Sequence, residues 1–158
     1  MTASPTVSGM RPDMRPAPVA TSGIAQISIA SDPMEVRLGL ARLFETPLLT
    51  EISDEAQGSA EIVLVEVLNN IVEHAYAKYP GKIQVTVQRM GPDLCVHVCD
   101  TGLPLPGGEM PVGVLPTLDP DGDLPEGGFG WHLIRLFAKD VSYIRTARQN
   151  HLRFHLPV

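Results

Sequence analysis

Three places in this chain of 158 residues gather side chains that chemistry could use. The first is Glu66, Asn70 and Glu73, spaced i, i+4 and i+7 within the run EVLNNIVEHAY. At helical spacing the three share one stripe. Val63, Val67, Ile71 and Ala75, with Leu64, Leu68 and Val72, make the opposite side apolar. A solvated face would also be polar. Here, however, apolar residues take up most of the circumference, so the polar stripe is narrow and is expected to line a cleft. The second place is Asp100-Thr101-Gly102, directly after a strand pattern. It reads as a plain turn, or as a site where Asp100 accepts a hydrogen bond from an exocyclic amine and Gly102 lets the backbone approach a flat ring. The third is Gly127-Gly128-Phe129-Gly130 ahead of a helix. Glycines occur in ordinary loops, but free N–H groups at a helix start, together with the helix dipole, also favour an anion. The spacing fits neither a dinucleotide fingerprint nor a Walker loop.

Other candidates read more plainly. His74 follows the stripe by one position and is expected to be a satisfied structural histidine at the pocket edge or in the core. Cys95, His97 and Cys99 alternate along one strand pattern. Ligands two residues apart on one strand cannot all reach a single ion at about 2.0–2.3 Å, so that face is expected to be half-buried or part of a subunit contact. Arg37 and Arg42 lie on an early helix and would ordinarily be solvated. Trp131 is expected to be packing.

The elements that must position these groups follow from periodicity. Residues 1–22 hold Pro5, Pro12, Pro16 and Pro18 among Ser, Thr and Ala and are expected to be a disordered tail. A strand over about 23–30 precedes a helix with Asp32 as N-cap, Pro33 in the first turn and Glu35 completing a capping box. That helix should stop near Thr46, since Pro47 disfavours helical geometry before it. A second helix runs from near Ser53 to about Tyr79. Residues 82–89 and 94–99 alternate as two strands about the turn Gly91-Pro92-Asp93, and parity carries Asp100 onto the face of Leu94, Val96 and Val98. Residues 101–127 are rich in Gly and Pro without periodicity, and a loop this long is usually functional. A helix over 131–139 and strands over 141–146 and 151–156 complete a single domain over 23–158. Alternating strand faces predict an α+β fold, a two-layer α/β sandwich with helices on one side of the sheet.

Composition bounds the rest. At 44% apolar residues the chain is globular. A net charge of −6 argues against general nucleic-acid binding, which needs Lys and Arg at phosphates. Two cysteines are too few for a disulfide scaffold, which suggests a reducing, cytoplasmic setting. No apolar run is long enough to span a membrane.

Taken together, VEVLNNIVEHAY, DTGLPL and GGFGWHLIRLFAKDVSYIR resemble in order and spacing the nucleotide-binding boxes of the gyrase, heat-shock chaperone, histidine kinase and mismatch-repair ATPase (GHKL) superfamily. Within it the chain is similar to the small anti-sigma-factor serine/threonine kinases of bacterial partner switching, over roughly residues 24–157. The resemblance implies a Bergerat-type fold with a mixed, mostly antiparallel sheet, ATP and Mg²⁺ as cofactors, and a homodimer. It implies Glu66 as catalytic base and Asn70 as the Mg²⁺ ligand, with Glu73 on the same cofactor-binding stripe. Asp100 with Gly102 would read adenine, Gly128 and Gly130 would hold the phosphates, and residues 103–127 would be a lid. Arg37 would meet the partner protein. The partners implied are a sigma factor, or an equivalent regulator, and a STAS-type anti-sigma-factor antagonist domain that receives the phosphoryl group. Leu105 stands where relatives often have an aromatic, and His151 where many have a small polar residue. No Lys or Arg occurs between Arg89 and Arg135, while that stretch carries Glu109, Asp119, Asp121, Asp123 and Glu126. Two readings therefore stand: a kinase of the antagonist, and a nucleotide-binding module that regulates by protein binding alone. A third, the catalytic domain of a sensor histidine kinase, is disfavoured, because a chain starting at Met1 leaves no room for a phosphoacceptor helix pair.

Overall fold

Alternation along the strands decides the layers. The computed structural model describes residues 19–21, 23–114 and 128–158; most of the expected tail and most of the expected lid lie outside them. The strands are β1 (Val19–Thr21), β2 (Ile24–Ala30), β3 (Lys82–Met90), β4 (Asp93–Asp100), β5 (Lys139–Thr146) and β6 (Gln149–Pro157). They form one sheet in the order β1-β2-β3-β4-β6-β5. Every pairing among the described residues is antiparallel, so the sheet expected to be mostly antiparallel is so throughout. Val19–Thr21 fall inside the stretch expected to be tail, yet pair with Ile24–Gln26.

One face of the sheet is dry. Ile27 and Ile29 of β2, Ile83 and Val85 of β3, Val96 and Val98 of β4, and Leu152 and Phe154 of β6 are buried beneath the helices. The alternate residues are partly exposed or exposed, as expected when only one face is covered. Each such aliphatic or aromatic side chain stabilises the fold by about 1.5–3 kcal/mol through burial.

Helix α1 (Pro33–Phe44) starts as its sequence says: Asp32 Oδ1 accepts from the Met34 and Glu35 N–H groups, and Pro33 takes the first turn. After it comes a one-turn helix, α2 (Pro47–Thr50), that the sequence reading missed. Pro47 reads in the sequence as a stop for α1, but proline also suits a helix's first turn. Helix α3 (Asp54–Asn70) is capped by Ser53, whose Oγ accepts from the Ala56 N–H. The expected helix to Tyr79 is corrected here. The α-helix ends at Asn70, and a wider π-helical turn, Ile71–Ala75, follows, closed by the Tyr76 N–H donating to the Ile71 carbonyl at 3.2 Å. Helix α4 (Phe129–Phe137) starts two residues before the expected position and packs against α3.

Candidate functional site

α3 delivers Glu66 and Asn70 to one side of the molecule, and the end of β4 delivers Asp100. Asn70 and Asp100 line the same pocket, which has about 510 Å³ of empty space counting its open mouth. Its walls are mainly apolar, with Val67, Ile71, Leu103, Trp131 and Leu152 among them, and a few polar groups converge within. This is the usual character of a small-molecule site. Gly130 closes the adjoining edge. A Cβ there would lie 2.5 Å from Glu66 Oε2 and 3.5 Å from Asn70 Nδ2, so a side chain at this position would displace the Glu66 carboxylate. Gly128, at φ 93°, turns the chain into α4 in the left-handed region, and among the described residues no side chain caps the helix start. The first-turn N–H groups have no partner within the helix itself.

Asn70 Nδ2 is buried and has no hydrogen-bond partner among the described residues. An orphaned amide in a native fold calls for an explanation. Which end of an amide is nitrogen is assigned from its surroundings, so the observation is that one end of the Asn70 amide waits for a partner beside Glu66 and Gly130.

Asp100 is only 4% exposed. Its Oδ1 accepts from the Gly102 N–H and from Asn150 Nδ2, both at 2.8 Å. Burial pushes its carboxyl above the usual carboxylate range; the Asn150 and Gly102 hydrogen bonds and the Arg145 and His151 charges oppose that rise only in part. Among the described residues no protein donor reaches Oδ2. A carboxylate placed like this can accept from an amine presented inside the pocket. Gly102 also has a packing role. A Cβ on it would meet the Ala75 carbonyl oxygen at 2.6 Å and Ala75 Cβ at 2.7 Å. Its missing side chain thus admits the π-helical turn, and the Leu103 N–H donates to the same Ala75 carbonyl at 2.7 Å.

The structure brings Glu66, Asn70, Asp100, Gly102, Gly128 and Gly130 to one region. It does not bring Glu73 there: the wider turn after Asn70 swings the stripe round, and Glu73 is exposed while His74 and Ala75 line the pocket. His74 is thus an edge residue. Trp131 lines the wall, and its carbonyl oxygen would lie 2.8 Å from a Cβ on Gly113, where the described part of the long loop packs back on α4. Arg37 stands apart, exposed on α1 beside a separate groove shared with Glu61 and Asn69 of α3. His151 is not at the pocket either. It stacks on His97 across the open face of the sheet, with His97 Nε2 and His151 Nδ1 3.1 Å apart. The polar residue that sequence reasoning missed is Asn150, which pairs directly with Asp100 in the register. The signal was there: Leu152, Phe154 and Leu156 point inward, and the same parity puts Asn150 on the face of Asp100.

No group of three or more His, Cys, Asp or Glu side chains that could hold a metal occurs among the described residues. A site that leaves most of a Mg²⁺ shell to waters and phosphates needs only one or two protein ligands, and the unpartnered end of Asn70 fits that need. The residues present also fit a nucleotide: an acceptor in the pocket, apolar walls, and a glycine-led helix start beside Asn70.

Residues 29–156 match the family model of the histidine kinase-like ATPase domain. A comparison with curated proteins returned no match.

Proposed function

Because the chain belongs to the histidine kinase-like ATPase domain family, whose fold implies ATP binding, we propose that it is an ATP-dependent regulator that phosphorylates a Ser or Thr of an anti-sigma-factor antagonist domain and sequesters a sigma factor or equivalent regulator. The observation that carries this reading is that Asn70 and Asp100 line one pocket, with Gly130 against Glu66 and Asn70 at its edge and a buried end of the Asn70 amide lacking a partner among the described residues. Asp100 would accept from the adenine amine. Asn70 would hold Mg²⁺, and the N–H groups at the start of α4 would cradle phosphate oxygens. When bound, Mg-ATP supplies the transferable phosphoryl group with part of its charge neutralised. Glu66, next to Asn70 and half-buried, would take the proton from the attacking hydroxyl. Arg37, exposed on α1 away from the pocket, would meet the sequestered partner, and a second copy of the chain would complete a homodimer in the cytoplasm.

A second reading keeps the nucleotide and drops the turnover. It is favoured by the absence of Lys and Arg between Arg89 and Arg135. The described cations flanking the site are engaged elsewhere: Arg135 donates to the Pro111 carbonyl and Arg145 to the Gly102 carbonyl. A cation on the transferring phosphoryl group can be worth roughly 10³–10⁵ in rate. Incubation with γ-labelled ATP, Mg²⁺ and a STAS-type antagonist domain separates the two readings. The kinase reading expects label on the antagonist, reduced about 10²–10⁴-fold in Glu66→Ala. Tight nucleotide binding with no transfer would leave the binding module in its place.

A further inference from the structure

Beside Asp100 runs a hydrogen-bond chain whose direction is forced. Arginine has donors only. Arg145 Nη1 donates to the Gly102 carbonyl at 3.0 Å and to Asn150 Oδ1. The Tyr143 hydroxyl donates to the same Oδ1 at 2.8 Å and itself accepts from the Leu105 N–H at 3.1 Å. With both acceptor positions taken, Asn150 must offer its nitrogen to the other side. There Nδ2 donates to Asp100 Oδ1 at 2.8 Å and to the Leu103 carbonyl at 2.9 Å. Turning the amide over would set its carbonyl against a carboxylate and its NH₂ against a guanidinium. At 4% exposure Asn150 has little water to soften that mismatch. With the Gly102 N–H also on Oδ1, that oxygen is committed as an acceptor, and Oδ2 is the atom left for the pocket.

We propose that Arg145 is a positioning residue for base selection: by fixing the Asn150 amide it holds Asp100 with Oδ2 as a free acceptor, so the pocket takes a 6-aminopurine nucleotide and rejects a 6-oxopurine. This rests on the nucleotide reading of the site. A 6-amino group donates to Oδ2, whereas a 6-oxo group would face it lone pair to lone pair. A proton on Oδ2 would invert the preference; burial favours that proton, and the Asn150 and Gly102 hydrogen bonds and the Arg145 charge oppose it. Asp100 touches the base, and Arg145 acts through Asn150.

The test titrates the full chain with ATP and with ITP, its 6-oxo counterpart, in the presence of Mg²⁺, reading Kd by calorimetry. Wild type is expected to favour ATP by roughly 10- to 100-fold. Arg145→Met should cut that ratio by about tenfold or more. Both Arg145 bonds come from one nitrogen, so the ammonium of Arg145→Lys should keep the ratio within about threefold. A folded Arg145→Met that discriminates like wild type overturns the proposal. If Arg145→Met does not fold, Arg145→Ala, which removes the same donor to Asn150 Oδ1, serves with the same two outcomes. Failure of wild type to bind either nucleotide would sink the site reading itself. ATP binding with unaltered discrimination in the variants would sink only the clamp.

Discussion

At the scale of single residues, the site keeps groups that cost the empty protein stability. Asp100 is the clearest. Burial pushes its carboxyl up, so the folded state holds this proton to higher pH than the unfolded chain does, whose carboxyl titrates near 3.9. Between those two values the folded state binds more protons than the unfolded one, and stability falls as pH rises. Asp100→Asn keeps an oxygen to accept from the Gly102 N–H and Asn150 Nδ2 but has nothing to ionise. Melting wild type and Asp100→Asn in parallel from about pH 3 to pH 7 should therefore show wild type losing ground as pH rises, with the gap levelling above the folded-state pKa. The opposite trend would mean that the hydrogen bonds outweigh desolvation. The cost is consistent with a carboxylate kept to receive a donor from a ligand.

At the scale of elements, much of the arrangement was legible because it depends on local pattern. Asp32-Pro33 marks a helix start whatever surrounds it. Parity placed Asp100 on the core face of β4, and extended by one step it would have placed Asn150 opposite in β6. The π-helical turn was not legible, because what holds it lies far off in sequence. The Tyr76 hydroxyl accepts from the Thr101 N–H at 3.1 Å and donates to the Lys82 carbonyl at 2.7 Å, and the Ala75 carbonyl accepts from the Leu103 N–H. A helical wheel drawn from residue 66 cannot register those partners, so it carried Glu73 into the site. The same tertiary joint makes a prediction. In Gly102→Ala the new methyl would overlap the Ala75 backbone at 2.6 Å, and backbone held by this many bonds cannot give cheaply. The loop after β4 and the turn after α3 must separate, at a cost of about 1–3 kcal/mol, read as a lower melting temperature. In Gly130→Ala the clash is with the end of a flexible carboxylate, so stability should change little by comparison, while nucleotide affinity and any transfer fall with the displacement of Glu66. Equal destabilisation by the two substitutions would contradict this distinction.

Over the whole molecule, the sheet and helices matter to function through one consequence: segments around residues 66–70, 100–105, 128–131 and 143–152 meet only when the chain is folded. The open side of the sheet is a different environment, where His97 and His151 stack and burial, aided by nearby Arg153 and His151, holds the His97 pKa below its ordinary value. Among the described residues no helix covers that side. A ligand that bridges the four segments binds the native state and not the unfolded one, so it must stabilise the fold by linkage, about 2.7 kcal/mol at one hundred times its dissociation constant. For a domain of this size each kcal/mol shifts Tm by roughly 2–4 °C, which gives a rise of about 5–10 °C with saturating Mg-ATP. Asn70→Leu supplies the control. It removes an amide whose buried end has no partner, at a site next to Val67 and Ile71, so the unliganded melting temperature should hold or rise, since such an orphan costs about 1–3 kcal/mol. The Mg-ATP shift, however, should largely vanish. No shift in wild type would remove nucleotide from the account of this pocket. An undiminished shift in Asn70→Leu would move the ligand away from the α3 stripe on which the assignment of Glu66 and Gly130 depends.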